Sequence, residues 1–212
     1  GGAPPVDYVV SGAWSGKAYK EARRLYEPVR QVVDLRKNIG DTNQPIPAPS
    51  SWNLSSINEN PAMLYYCDNE TIDGFEFPPD FIQQLPEEYR QRVPIVADCS
   101  SNILSRPIDI RSHAVVFFGA QKNVGPSGVT VVIVRRDLVV DTDAVQQSYY
   151  PRIPTTMVYK NAMDNGSLYN TPPIFPIYVS GLVFRKLVEE GGVARAQERA
   201  RTRAKFVYDE LE

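Results

Sequence analysis

The chain has 212 residues, 42% of them apolar and 23% charged, with a net charge of −2. Those are the proportions of a soluble globular protein long enough to bury a sizeable core. They give no basis for nucleic acid or a membrane as partner, no apolar run approaches a membrane span, and Gly1-Gly2-Ala3-Pro4-Pro5 lacks the regions of a signal peptide.

Apolar runs alternate with helical patterns along the chain, which predicts an α/β layer fold. The first strand is expected at Asp7 to Val10, followed by a helix from about Ser15 to Tyr26 with Ala18, Ala22, Leu25 and Tyr26 buried. Further strands are expected at Gln31 to Leu35, Ala62 to Tyr66, Pro94 to Asp98, Ala114 to Phe118 and Val129 to Val134. Most are continuous apolar runs, as in strands covered on both faces. Long loops are expected between Asn38 and Asn60, a surface connection rich in Pro, Ser and Asn, and between Leu138 and Asn165. A helix from about Ile174 to Glu190 should turn Ile177, Gly181, Leu182 and Val188 inward and stop at Gly191-Gly192. A last helix should run from near Val193 to the end, its Arg195, Arg199, Arg201, Arg203 and Lys205 interspersed with acids on a solvated face. There is no internal repeat.

Cys67 and Cys99 are the only cysteines, too few for a disulfide framework, and read as reduced thiols of a cytoplasmic protein. Asn53, Asn69 and Asn165 fit the glycosylation pattern, which matters only after secretion. The single histidine, His113, excludes a His-rich metal site and reads as a structural residue before a strand; no metal is expected. Gly12-Ala13-Trp14-Ser15-Gly16-Lys17 has three residues between its glycines where a nucleotide loop has four, and Ala18 in place of the hydroxyl, so that reading is rejected.

The chemistry concentrates at two strand ends. Phe117-Phe118-Gly119-Ala120-Gln121-Lys122 ends an apolar run in a turn that presents one lysine. A lysine desolvated there becomes an amine suited to Schiff-base chemistry. Upstream, Val93-Pro94-Ile95-Val96-Ala97-Asp98 ends another run in a carboxylate. An Asp to pair with a pyridine nitrogen and a Lys to bind an aldehyde suit a pyridoxal phosphate site. Taken singly, Lys122 is also an ordinary surface lysine, Asp98 a turn former and Trp14 core filling.

Five blocks in order resemble the phosphoserine aminotransferases, pyridoxal-phosphate enzymes of the class V family and fold type I. They are Val9-Val10-Ser11-Gly12-Ala13-Trp14-Ser15, Cys67-Asp68-Asn69-Glu70-Thr71-Ile72-Asp73-Gly74, the run from Ala97 to Asp109, Gly119-Ala120-Gln121-Lys122-Asn123-Val124-Gly125, and Asn165-Gly166-Ser167-Leu168-Tyr169-Asn170-Thr171-Pro172-Pro173. The resemblance implies a three-layer α/β/α large domain with a mainly parallel sheet. It implies Lys122 as the Schiff-base residue and proton carrier, and Asp98 as partner of the ring nitrogen. Trp14 would stack on the ring, at the end of the first strand. Thr71 would reach the phenolic oxygen and Gln121 the phosphate, with Asn170 and Thr171 reaching the phosphate from the partner of a homodimer. As an alternative, Asn170 and Thr171 cap the helix that follows. Ser100, Ser101 and Ser105 read as caps and turns, with Ser100 or Ser101 within reach of the site. Glu70 is without a role its spacing demands, and Tyr65-Tyr66 and Tyr149-Tyr150 read as packing.

The implied reaction converts 3-phosphohydroxypyruvate and glutamate to phosphoserine and 2-oxoglutarate in serine biosynthesis. A related aminotransferase of another substrate and a noncatalytic folded chain are the rivals. Residues 1–212 read as the cofactor-binding large domain, incomplete at its N-terminal edge and without the small domain, and so expected to be inactive alone.

Overall fold

The computed structural model describes residues 2–39, 46–142 and 153–211; Tyr149 and Tyr150 lie outside them. Six strands form the central sheet in the order β2-β1-β3-β6-β7-β8. These are β1 (Val6–Val10), β2 (Val29–Asp34), β3 (Met63–Cys67), β6 (Ile95–Asp98), β7 (Val115–Gly119) and β8 (Thr130–Val134). The strands β2 through β7 pair in parallel, and β8 returns antiparallel along β7. A two-stranded hairpin, β4 (Asn69–Glu70) and β5 (Phe75–Glu76), stands apart from the sheet. Each expected strand is present within about two residues. Among the described residues no helix is long and apolar enough to cross a membrane.

Alternation along the strands sorts side chains onto two faces. Helix α1 (Ala13–Leu25) covers one, packing Ala18, Tyr19, Ala22 and Tyr26 against Val6, Tyr8, Tyr65, Val96 and Phe117. The other face is the larger core, where Val9, Leu64, Tyr66, Ile95 and Val116 meet Trp52, Phe77, Phe81 and Tyr89. Tyr89 comes from a short helix, α2 (Glu87–Arg92), that the sequence reading leaves as connection. The expected three layers are therefore present.

Several expectations fail locally. Leu25 is 69% exposed, because it lies in the last turn of α1, past the edge of the sheet-facing stripe. The connection between Asn38 and Asn60 is not only surface: it carries Trp52, buried with its ring centroid 5.6 Å from that of Phe81. The loop expected up to Asn165 contains a helix at Tyr159–Asp164. β8 is not covered on both faces; Val132 and Ile133 are exposed on a strand with one neighbour. The helix Ile174–Glu189 leaves Ile177, Gly181, Leu182 and Val188 exposed and instead buries Ser180. Its sequence is apolar on several faces, so periodicity does not single one out. Packing does: the Ser180 backbone lies 3.3 Å from where a Cβ on Gly125 would stand, and Phe184 reaches the core. The last helix, Gly192–Leu211, packs on it and is solvated as expected.

The start of α1 is held by acids from the β4–β5 hairpin. The N–H groups of a first helical turn have no partner within the helix. Here Ala13 N donates to Asp73 Oδ2 at 2.7 Å, Trp14 N to Glu70 Oε2 at 2.9 Å, and Ser15 N to Glu70 Oε1 at 2.8 Å. Negative charge is also favoured at this end by the helix dipole. Ser15, expected to open the helix, is its third residue, and its hydroxyl accepts from Ser11 N and Gly12 N. Gly12 is required by the approach of the acids: a Cβ there would collide with the Asp73 carboxylate and lie 2.7 Å from the Glu70 side chain.

The hairpin is itself anchored. Arg106, buried, pairs with Asp68 at 2.6 Å and Glu76 at 3.0 Å, and Asn102 donates to both acids. Nearby, His113 Nδ1 meets the Asp109 carbonyl at 2.8 Å, so its Nε2 accepts from the Tyr66 hydroxyl at 2.7 Å. His113 is structural, as its place before β7 suggests.

Two measurements check these contacts. Glu70→Gln keeps the shape but sets an amide N–H against a backbone N–H, so urea denaturation should show a loss of about 1–3 kcal/mol. An unchanged midpoint would remove the carboxylate from the account of the helix start. Burial holds His113 below its ordinary value of 6.5. The unfolded chain then binds the proton more readily, so this contribution to stability is present above about pH 6.5 and is lost as pH falls toward the folded value. Stability should drop between about pH 7.5 and 5.5, and the drop should shrink in His113→Gln; an equal drop in both proteins contradicts the assignment.

Candidate active site

In parallel strands the carboxyl ends share one sheet edge, and the crevice outside that edge is where open α/β sheets bind ligands. The register sets Cys67 beside Asp98 and Asp98 beside Phe117. Alternation then points Asp98 to the α1 side, with Val96 and Phe117. The turn after β7 brings Gln121 and Lys122 to the same edge, and the turn after β4 brings Thr71.

These residues line one cleft of about 200 Å³, together with Trp14, Ser100 and Ser101. Five of the seven expected site residues, Trp14, Thr71, Asp98, Gln121 and Lys122, are thus brought together from four segments. Lys122 Nζ donates to Thr71 Oγ1 at 2.6 Å. Asp98 Oδ1 accepts from Ser100 N at 3.0 Å and from Ser100 Oγ at 2.5 Å, while Oδ2 has no hydrogen-bond partner among the described residues. Ser100 Oγ also accepts from Gly119 N at 3.2 Å, which ties the Asp98 turn to the end of β7. Asn69 and Ser101 bond reciprocally: Asn69 Nδ2 donates to Ser101 Oγ at 2.7 Å, and that hydroxyl donates to the Asn69 carbonyl at 2.9 Å.

Two expectations about the cleft are corrected. Trp14 is not at the end of the first strand but in the first turn of α1, which begins two residues before the expected helix start. It is 44% exposed, with Lys17 Nζ 4.3 Å from its ring centroid. Lys122 is exposed, so the desolvation expected of a lysine at a strand end does not occur in this chain. The turn carries it beyond the covered part of the sheet.

Asn170 and Thr171 are not in this cleft. They line a separate one of about 380 Å³ with Thr130, Asn161 and Tyr169. Nor do they cap the next helix: Pro173 holds the cap position and no side chain bonds there.

Ser100, Asn69 and Glu70 are the contributors the sequence leaves without a definite role. Ser100 has a readable signal, a serine two residues after a strand-end Asp, the spacing of a side-chain turn. Glu70 has none, because its partners, two backbone N–H groups and the Ser11 hydroxyl, lie 55 to 59 residues away. Cys67 lines the cleft, but burial first, then the charges of Asp98 and Glu70, push its thiol up and make it inert.

The donor set fits pyridoxal phosphate. One amine, one carboxylate with a free oxygen, a tryptophan ring, a hydroxyl and an amide face a cleft the size of a one-ring ligand. Among the described residues no group of three or more His, Cys, Asp or Glu is placed to hold a metal.

The phosphoserine aminotransferase of Drosophila melanogaster is 42% identical over 206 residues, covering 97% of this chain and 51% of that protein. The solved phosphoserine aminotransferase from Bacillus circulans subsp. alkalophilus superposes with a TM-score of 0.80 at 37% identity, over 98% of this chain and 52% of that one. The pyridoxal-phosphate-bound enzyme from Trichomonas vaginalis gives a TM-score of 0.74 at 38% identity, over 97% and 52%. The chain spans about half the length of the curated relatives it matches. The family model for aminotransferase class-V matches residues 42–212, most of the sheet and the cleft, and the chain belongs to the class-V aminotransferase family.

Proposed function

We propose that this chain is the cofactor-binding large domain of a pyridoxal-phosphate aminotransferase. The complete protein converts 3-phosphohydroxypyruvate and glutamate to phosphoserine and 2-oxoglutarate, in the cytoplasm, for serine biosynthesis. The observation that carries the reading is the convergence of Lys122 and Asp98 in one cleft with Trp14, Thr71 and Gln121. The choice of substrate rests on relatives named for phosphoserine at about 40% identity.

Bound pyridoxal phosphate supplies an aldehyde that takes up amino groups and a protonated ring that stabilises the electron pair left when the substrate carbon loses its proton. The residues of the chain do the rest. Lys122 would hold the aldehyde through Nζ and, once freed by the amino donor, would move a proton at the substrate carbon. Its bond to Thr71 keeps the amine at the cleft, and the Thr71 hydroxyl serves the phenolic oxygen. Asp98 keeps the ring nitrogen protonated, and Ser100 fixes that carboxylate by engaging Oδ1 and leaving Oδ2 for the ring. Trp14 would pack on the ring, and Gln121 would donate to the phosphate. In a homodimer, Asn170 and Thr171 of the partner subunit complete the phosphate site. Their distance from the cleft within one chain and the absence of a capping role support that assignment.

In the full-length enzyme, Asp98→Asn should reduce kcat by roughly 100-fold or more, since one charge-assisted interaction in the transition state is lost. Its melting temperature should stay near that of the parent. Near-normal turnover would leave Asp98 a structural part only. For the shared site, full-length Lys122→Ala and a second variant with Asn170→Ala and Thr171→Ala, each inactive, are refolded together. Each mixed dimer keeps one intact site, so about a quarter of all sites should recover. Mixed dimers without recovered activity would place Asn170 and Thr171 outside the partner's site.

A further inference from the structure

At the opposite edge of the sheet, where β6 starts and β8 ends, lies a second polar cleft of about 320 Å³. Arg90 and Arg92 reach it from the last turn of α2, Arg111 from the helical turn before β7, and Arg135 from the residue after β8. The sheet fixes this gathering: Ala114 N donates to the Ile95 carbonyl at 2.8 Å and Arg135 N to the Ala114 carbonyl at 2.9 Å. Among the described residues no aspartate or glutamate lines the cleft.

The four arginines are not equivalent. Arg92 is paired with Glu88 at 3.2 Å, and Arg135 is held by both oxygens of Asp137. Arg90 and Arg111 have no carboxylate partner among the described residues. Asp109, beside Arg111, directs its hydrogen bonds to Ser112 Oγ and the Arg111 backbone N–H, and only its charge, without an ion-pair contact, reaches the Arg111 side chain. The remaining polar lining includes Gln83, whose side-chain amide can donate; the Ser112 hydroxyl is already committed to Asp109. The whole chain is slightly acidic, so this concentration of positive charge is local.

We propose that this cleft binds a small polyphosphate. The arginine fork matches phosphate oxygens in a bidentate fashion, and several forks converging without a lining acid suit a ligand with several adjacent negative groups. Among the described residues no aromatic ring other than that of His113 faces the cleft, and that imidazole is committed to Tyr66 and the Asp109 carbonyl. The recognised part is therefore the phosphate chain and not a base. The site is separate from the candidate active cleft and does not depend on the aminotransferase reading.

The test is calorimetric titration of the full chain with tripolyphosphate at near-physiological salt. Saturable one-to-one binding is expected. It should be unchanged in Gln121→Ala/Lys122→Ala, which empties the other cleft of its phosphate and aldehyde ligands. It should weaken by about a hundredfold in Arg90→Gln/Arg111→Gln, at about tenfold for each charge-assisted contact. Arg90→Lys/Arg111→Lys, which keeps the charge and loses the fork, should weaken by about tenfold and serves if the glutamine variant fails to fold. The proposal is overturned if native chain shows no saturable binding, if citrate binds as tightly as tripolyphosphate, if the arginine variants bind like the parent, or if the Lys122 variant loses binding.

Discussion

The Glu70 carboxylate is the contact on which the arrangement of the cleft depends. It is fully buried, and its two oxygens take the second and third N–H groups of α1. The residue before it in the hairpin, Asn69, bonds to Ser101 after β6, and the residue after it, Thr71, meets Lys122 after β7. One two-stranded hairpin therefore joins the first helix, the Asp98 turn and the lysine turn. An acid buried this deeply is stable because both of its oxygens meet donors, Trp14 N on Oε2 and Ser15 N with the Ser11 hydroxyl on Oε1. Arg106 performs the matching task one layer below, where it neutralises Asp68 and Glu76 and holds the hairpin to the strand ends.

The parallel register supplies the rest. Cys67, Asp98 and Phe117 lie level across three adjacent strands, so the turns after them open on the same edge. Side-chain alternation then settles which face each group serves. Asp98 falls on the α1 side near Trp14, whereas Asp7, at the other end of its strand, is buried against Ser55 and Tyr89 and only ties elements together. Two aspartates in similar apolar strands thus differ in role because one sits at the carboxyl edge with an oxygen free and the other has all its contacts filled. The opposite edge of the same sheet gathers arginines by the same logic, since residues that start or end neighbouring strands are necessarily close.

Much of this was legible in the sequence, and the exceptions have physical causes. Long apolar runs such as Ile95 to Asp98 read correctly because a strand covered on both faces has few alternatives at that length. The pairing of Asp98 with Lys122 was readable because each ends such a run. Orientation was not readable where apolar residues surround a helix, as from Ile174 to Glu189, or where a segment carries one buried ring in a polar stretch, as Trp52 does. The exposure of Lys122 was missed because a strand's burial says nothing about the turn that follows it. The role of Glu70 is not legible because its shortest bonds go to main-chain groups, which leave no mark in the pattern of side chains. Asn170 and Thr171 were recognised from their block alone, and within one chain no geometry unites them with the rest.

On the proposed function, Lys122, among the lysines near the cleft, is the amine that would hold the cofactor. The measurement that meets this assignment most directly is borohydride reduction of full-length protein loaded with pyridoxal phosphate, followed by peptide mapping. Lys17 is the natural competitor, since its amine already stands over the Trp14 ring. The account requires the label on Lys122, and its loss in Lys122→Ala. A label on Lys17 or any other lysine, or undiminished labelling of Lys122→Ala, would contradict it.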